Sequence, residues 1–249
     1  MKILVTGSKG FLGKNLVHSL RSKGYDDILE FTLESSGEDL IRYCRECDFV
    51  FHLAGVNRPK DVSEFMTGNK GLTEEVTRLL SENGNAVPFL LSSSIQAGLN
   101  NDYGISKREA ENVVFAYGRD NDVPVYVYRF PNLFGRWSQP NYNTVIATFC
   151  HNIARGLEIR IDDREKVLPL VYVDDVTGQF LRILETGIKF PQGEFVTFPP
   201  SLIYERKLGY IADTLMRFRD FLASGKEPEL KDGFEEKLYE TYRSFIPEE

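Results

Sequence analysis

Apolar and polar positions along the 249-residue chain follow two alternating periods. Short apolar runs at residues 2–6, 28–32, 49–53, 88–92 and 123–129, and a shorter one around 170–173, have the length and the β-branched and aromatic content of buried strands. Between them the apolar residues recur at helical spacing: Leu12, Leu16 and Leu20 ahead of Gly24, then Val76, Leu79 and Leu80, then a helix-like stretch over 103–117. Strands alternating with helices predict an α/β fold in which a doubly wound, largely parallel sheet is covered on both faces. The pattern loosens through 135–140 and recovers as a helix over about 143–154. Helical spacing returns at Leu208, Ile211, Leu215 and Leu222, and again at Leu238, Tyr242 and Phe245. No internal repeat or low-complexity tract interrupts it.

Composition narrows the class. A formal charge of −7 argues against a phosphate-backbone footprint, so nucleic acid is not an expected partner. Met1 leads straight into a strand pattern, and no apolar run approaches the ~18 residues a membrane span needs, which predicts a cytoplasmic protein without membrane contact. Cys44 and Cys47 form a C-x-x-C, but no second pair of ligands accompanies them; they are read as structural, and no metal is expected.

The first strand runs into Gly7-Ser8-Lys9-Gly10-Phe11-Leu12-Gly13 and then a helix. Such a turn lets backbone approach a pyrophosphate and sets it against the positive helix N-terminus, although the same glycines also suit a turn that packs a helix closely on a strand. Discrimination between dinucleotides turns on charge near the adenosine ribose. Thr32 at the end of the second strand and Lys9 in the turn favour NADP(H). Glu34, two residues on, would favour NAD(H) if the strand ran further. Downstream, Tyr103 and Lys107 are four residues apart on one helical face, so an ammonium can stabilise the phenolate of a tyrosine that otherwise titrates near 10.

Taken together, the glycine turn and the Tyr103/Lys107 pair resemble the extended short-chain dehydrogenase/reductases, a Rossmann-type family. Residues 90–97, 129–135 and 140–150 resemble, within it, the reductases of capsular polysaccharide biosynthesis. That resemblance implies an NADPH-dependent reductase of a 4-keto nucleotide sugar, a UDP-2-acetamido-2,6-dideoxy-hexos-4-ulose. Tyr103 would be the proton donor, with Ser94 and Lys107 completing the catalytic set. An NAD-dependent nucleotide-sugar epimerase or dehydratase is the alternative, and a non-catalytic NADP-sensing module a more distant one. The resemblance places the dinucleotide against the glycine turn, Thr32, Leu53, Ala54, Gly55, Ser92, Tyr103, Lys107 and Pro131. It places the sugar nucleotide against Asn69, Ser94, Asn132, Arg136 and Asn143, with Asn141 and Tyr142 as weaker candidates. His52 is read as a satisfied strand-end histidine, and Asp174 and Asp175 as helix-capping acids. The implied organisation is a Rossmann core of 1–130 and about 168–187, with a small substrate lobe of about 131–167 and 188–249. A homodimer is implied. Members of this branch carry a cupin domain after the reductase; none is expected within this chain, which leaves a C-terminal or separate cupin epimerase as the expected partner.

Overall fold

The computed structural model describes residues 1–142 and 144–247, which form two units: 1–130 with 177–197, and, among the described residues, 131–176 with 198–247. The first unit is built on six parallel strands: β1 (Ile3–Thr6), β2 (Ile28–Phe31), β3 (Phe49–His52), β4 (Phe89–Ser94), β5 (Val125–Phe130) and β8 (Phe195–Val196). Their order across the sheet is β2-β1-β3-β4-β5-β8. Chain direction across the sheet therefore reverses between β1 and β3, and in open α/β sheets the crevice at the carboxyl ends of such strands is where ligands bind.

Helices α1 (Phe11–Ser22), α2 (Gly37–Glu46), α4 (Leu72–Glu82) and α5 (Asp102–Asn121) belong to this unit. A short α3 (Ser63–Phe65) reaches α4 through one π-helical turn, Met66–Gly71. Leu4, Leu40, Val50, Val76, Leu80 and Val114 are among the buried residues of one core cluster, which explains the apolar strand runs and the helical stripe at 76–80. Ser36 closes a reciprocal capping box with Asp39 at the start of α2.

The second unit has a three-stranded sheet of β6 (Asn132–Phe134), β7 (Val167–Tyr172) and β9 (Tyr204–Lys207). β6 pairs parallel and β9 antiparallel to β7. Helices α6 (Val145–Ala154), α8 (Leu208–Ala223) and α9 (Gly233–Arg243) pack on it around Phe134, Phe149, Ile211, Leu215, Phe218 and Phe234. The unit boundary falls inside α7 (Val173–Thr186). The apolar run around 170–173, which the pattern assigns to the core sheet, is thus a strand of the smaller sheet. The core's sixth strand is instead β8, whose two residues are too short to leave a periodic signal. Among the described residues no helix is long and apolar enough to cross a membrane, and no group of three or more His, Cys, Asp or Glu is placed to hold a metal.

Candidate active site

The glycine turn follows β1, and Leu53-Ala54-Gly55 follows β3, so the two segments stand at the carboxyl ends of the strands that flank the reversal point. Gly7 adopts φ +70, and a Cβ there would lie 2.8 Å from the Ala54 nitrogen. A Cβ on Gly13 would lie 2.1 Å from the Gly7 carbonyl oxygen, so α1 starts directly against the turn. Gly10 caps α1 without a side chain, and no acid stands in its first turn. The N-terminal amides thus face a position with no competing carboxylate from this helix. The Ser8 hydroxyl is buried there without a hydrogen-bond partner. An orphaned buried hydroxyl beside bare helix amides fits a pyrophosphate.

Thr32 lies just past β2, where its hydroxyl accepts from the Glu34 backbone N–H at 3.2 Å. Lys9 does not stand alone at this edge: its ammonium is ion-paired with the Glu34 carboxylate. Strand β2 does end at Phe31, yet the turn folds Glu34 back against Lys9, so the positive charge on which the NADP(H) expectation rests is opposed by an acid.

On the β3 side of the reversal, β4 meets α5 through two consecutive residues. The Lys107 ammonium donates to the Ser92 carbonyl at 2.7 Å, and the Ser93 hydroxyl donates to Glu111. The Ser94 hydroxyl accepts from the Gln96 N–H at 3.2 Å and acts on Tyr103 across the short loop. Burial raises the Tyr103 pKa above its usual 10, and the Ser94 hydroxyl pulls it back down. Burial pushes Lys107 from 10.5 down to about 8, while the Glu111 carboxylate opposes the fall. The connection from Ser94 to Tyr103 is a tight 3₁₀ turn, Ile95–Gly98, and Asn101 caps α5 by accepting from the Gly104 N–H at 2.7 Å. A Cβ on Gly104 would lie 2.3 Å from the Gln96 carbonyl oxygen, so this glycine lets the first turn of α5 sit against the short loop and brings Tyr103 back to Ser94. Phe65 packs on the Tyr103 ring with centroids 5.6 Å apart.

Asn69 sits on the π-helical turn and is 2% exposed. Its two amide hydrogens go to the Val56 carbonyl (3.0 Å) and the Ser106 hydroxyl (2.9 Å), and its carbonyl accepts from the Val56 N–H (2.8 Å). The side chain that the resemblance offers to the substrate instead ties the segment after β3 to α5. Gly55 is needed beside it, since a Cβ would fall 2.8 Å from Asn69 Oδ1 and 3.5 Å from Lys107 Nζ. His52 is fully buried between the Thr6 and Thr73 hydroxyls, and burial pushes its pKa down to about 3, so it is neutral and structural.

The dinucleotide candidate Pro131 and the remaining substrate candidates belong to the second unit. Pro131 opens it, Asn132 begins β6 and donates to the Pro169 carbonyl at 3.2 Å, and Arg136 lies over the Trp137 ring and 3.6 Å from Asp174. Asn141 is in the left-handed region at φ +56, and Tyr142 is partly exposed. Asn143 lies outside the described residues. Asp174 and Asp175 stand in the first turn of α7. Cys44 and Cys47 are buried, and burial raises both thiols to about 12, which keeps them inert. Sequence reasoning overlooks Glu111 and the structural part of Arg129; the available signal is Glu111 four residues after Lys107 on the same helix face.

Residues 3–196 match the model of the NAD dependent epimerase/dehydratase family. The chain is 43% identical, over all of its 249 residues, to the UDP-2-acetamido-2,6-beta-L-arabino-hexul-4-ose reductase of Pseudomonas aeruginosa. It is 31% identical over 217 residues to the GDP-6-deoxy-D-talose 4-dehydrogenase of Aggregatibacter actinomycetemcomitans, covering 76% of this chain and 72% of that one. The structure of the capsular polysaccharide assembling protein CapF from Staphylococcus aureus superposes with TM-score 0.88 and 42% identity over 99% of this chain. The chain spans 66% of the length of the Pseudomonas relative and of the Staphylococcus structure.

Proposed function

The chain belongs to the NAD dependent epimerase/dehydratase family, and from that premise we propose that it reduces the 4-keto group of a UDP-linked 2-acetamido-2,6-dideoxy sugar for a surface polysaccharide. The observation that carries the reading is the convergence of Ser94, at the end of β4, with Tyr103 and the buried Lys107 ammonium of α5, one strand beyond the reversal point. When bound, the nicotinamide dinucleotide supplies the hydride. The glycine turn and the Ser8 hydroxyl are its pyrophosphate contacts in this reading. The Ser94 hydroxyl donates to the carbonyl oxygen and holds it beside Tyr103. As negative charge develops on that oxygen, the Tyr103 hydroxyl delivers its proton, and the Lys107 ammonium stabilises the phenolate left behind. The balance is ketone, reduced dinucleotide and one proton giving alcohol and oxidised dinucleotide. NADP(H) is the proposed dinucleotide, with Glu34 acting against it. Asn132 and Arg136 are proposed substrate contacts, and a homodimer the proposed assembly.

The test is incubation with the 4-keto UDP-amino sugar and NADPH carrying deuterium on the transferred position. One dinucleotide oxidised per sugar, with the label at C4 by NMR, is expected. Isomerised sugar without net dinucleotide oxidation, or label at another carbon, refutes the proposal.

A further inference from the structure

Glu111 is a buried carboxylate for which this proton relay has no assigned use. Its side chain is 2% exposed, one helical turn past Lys107. Arg129 grips it with two hydrogen bonds, Nε to Oε1 at 2.9 Å and Nη2 to Oε2 at 2.6 Å, and the Ser93 hydroxyl donates to Oε1. Ser93 and Arg129 are register partners across β4 and β5, and the guanidinium also lies 3.9 Å from the Phe195 ring centroid. Ser92 to Lys107 and Ser93 to Glu111 therefore tie two successive strand residues to two successive turns of α5.

We propose that Glu111 is a positioning residue of this site: locked by Arg129 and Ser93, it fixes α5 lengthwise on β4 and sets a negative charge one turn from the Lys107 ammonium. The proposal rests on the reductase reading for its catalytic meaning. The titratable groups that act on Lys107 are Glu111 on α5 and neutral His52 on β3; Tyr103 stands one turn before it on α5, and Arg129 on β5 is already paired with Glu111. β4 presents only hydroxyls and a carbonyl, and Lys70 of the π-helical turn is paired with Glu74 at the surface. Glu111 is thus the carboxylate that opposes the effect of burial on Lys107.

The experiment titrates lysine side chains by carbon-detected NMR in the full chain without dinucleotide, assigning the Lys107 signal by its loss in Lys107→Met. Glu111→Gln is expected to lower the Lys107 midpoint from about 8 by at least half a pH unit, and the alkaline limb of ketone reduction should move with it. Because Glu111→Gln leaves Arg129 uncompensated, Glu111→Gln/Arg129→Gln is made alongside; it should recover melting temperature while the midpoint stays low. Glu111→Asp should return the midpoint towards the wild-type value. An unchanged midpoint in the variants, or one that returns to about 8 in the double variant together with its stability, overturns the proposal and leaves Glu111 a purely structural ion pair. If the wild-type chain reduces no ketone, the reductase reading fails, and the NMR midpoint still decides the role of Glu111.

Discussion

Replacing Lys107 with Met should stabilise the folded chain at pH 7 while abolishing its chemistry. A lysine held at about 8 rather than 10.5 is protonated at pH 7 only at a cost of about 3 kcal/mol relative to the unfolded chain. Met keeps most of the apolar stem and removes the charge. It also removes the donor to the Ser92 carbonyl, a loss of about 1 kcal/mol. The net gain is then about 2 kcal/mol, or roughly 4–8 °C in melting temperature for a chain of this size. The sign with pH follows from the direction of the shift. The folded-state pKa lies below the unfolded one, so the wild-type chain recovers stability as pH rises from about 8 to 10.5, whereas the variant does not. Thermal melts of both proteins at pH 7, 8, 9 and 10.5 should show a gap that favours the variant at neutral pH and closes on the alkaline side. A variant that melts lower at pH 7, or a gap independent of pH, refutes the claim that Lys107 is held charged against burial.

Tyr103→Phe should leave dinucleotide affinity within about twofold and lower ketone reduction by at least 10²-fold, the usual scale of general acid catalysis; retention of a tenth of the rate would assign the proton to another group. Glu34→Gln should release Lys9 and raise the ratio of NADPH to NADH affinity several-fold, measured by fluorescence titration, since an opposing charge is removed from one side of an exposed pair. An unchanged ratio would place the ribose elsewhere. Gly13→Ala should abolish dinucleotide binding, because the added methyl would sit 2.1 Å from the Gly7 oxygen and must displace the turn from α1; calorimetric titration showing wild-type affinity would contradict that geometry.

The parts of the fold legible in the sequence are those whose apolar residues repeat often enough to show a period. β1, β3, β4 and β5 are buried runs, and α1 and α4 carry stripes of leucine and valine on one face. β8 escapes because two residues carry no period. β7 reads correctly as a strand but is placed in the wrong sheet, since an apolar run records burial and not the partner that covers it. Leu168, Leu170, Val171 and Tyr172 are buried on a strand that pairs with β6 and β9 rather than with the core sheet.

For the candidate site the division is between residues whose spacing within one helix fixes their neighbours and residues whose partners come from other strands. Tyr103 and Lys107 are read together from the i, i+4 rule alone. The commitment of Asn69 to Val56 and Ser106 depends on a π-helical turn meeting α5, and the Lys9–Glu34 pair depends on how the turn after β2 folds back; neither is local in sequence. Glu111 falls between these cases. Its helical offset from Lys107 is visible in the sequence, but its burial is not, because only the register of Ser93 opposite Arg129 puts a hydroxyl and a guanidinium over one carboxylate. With both of its oxygens taken up by Arg129 and Ser93, the Glu111 carboxylate stands one turn from Lys107 and opposes the effect of burial on that lysine.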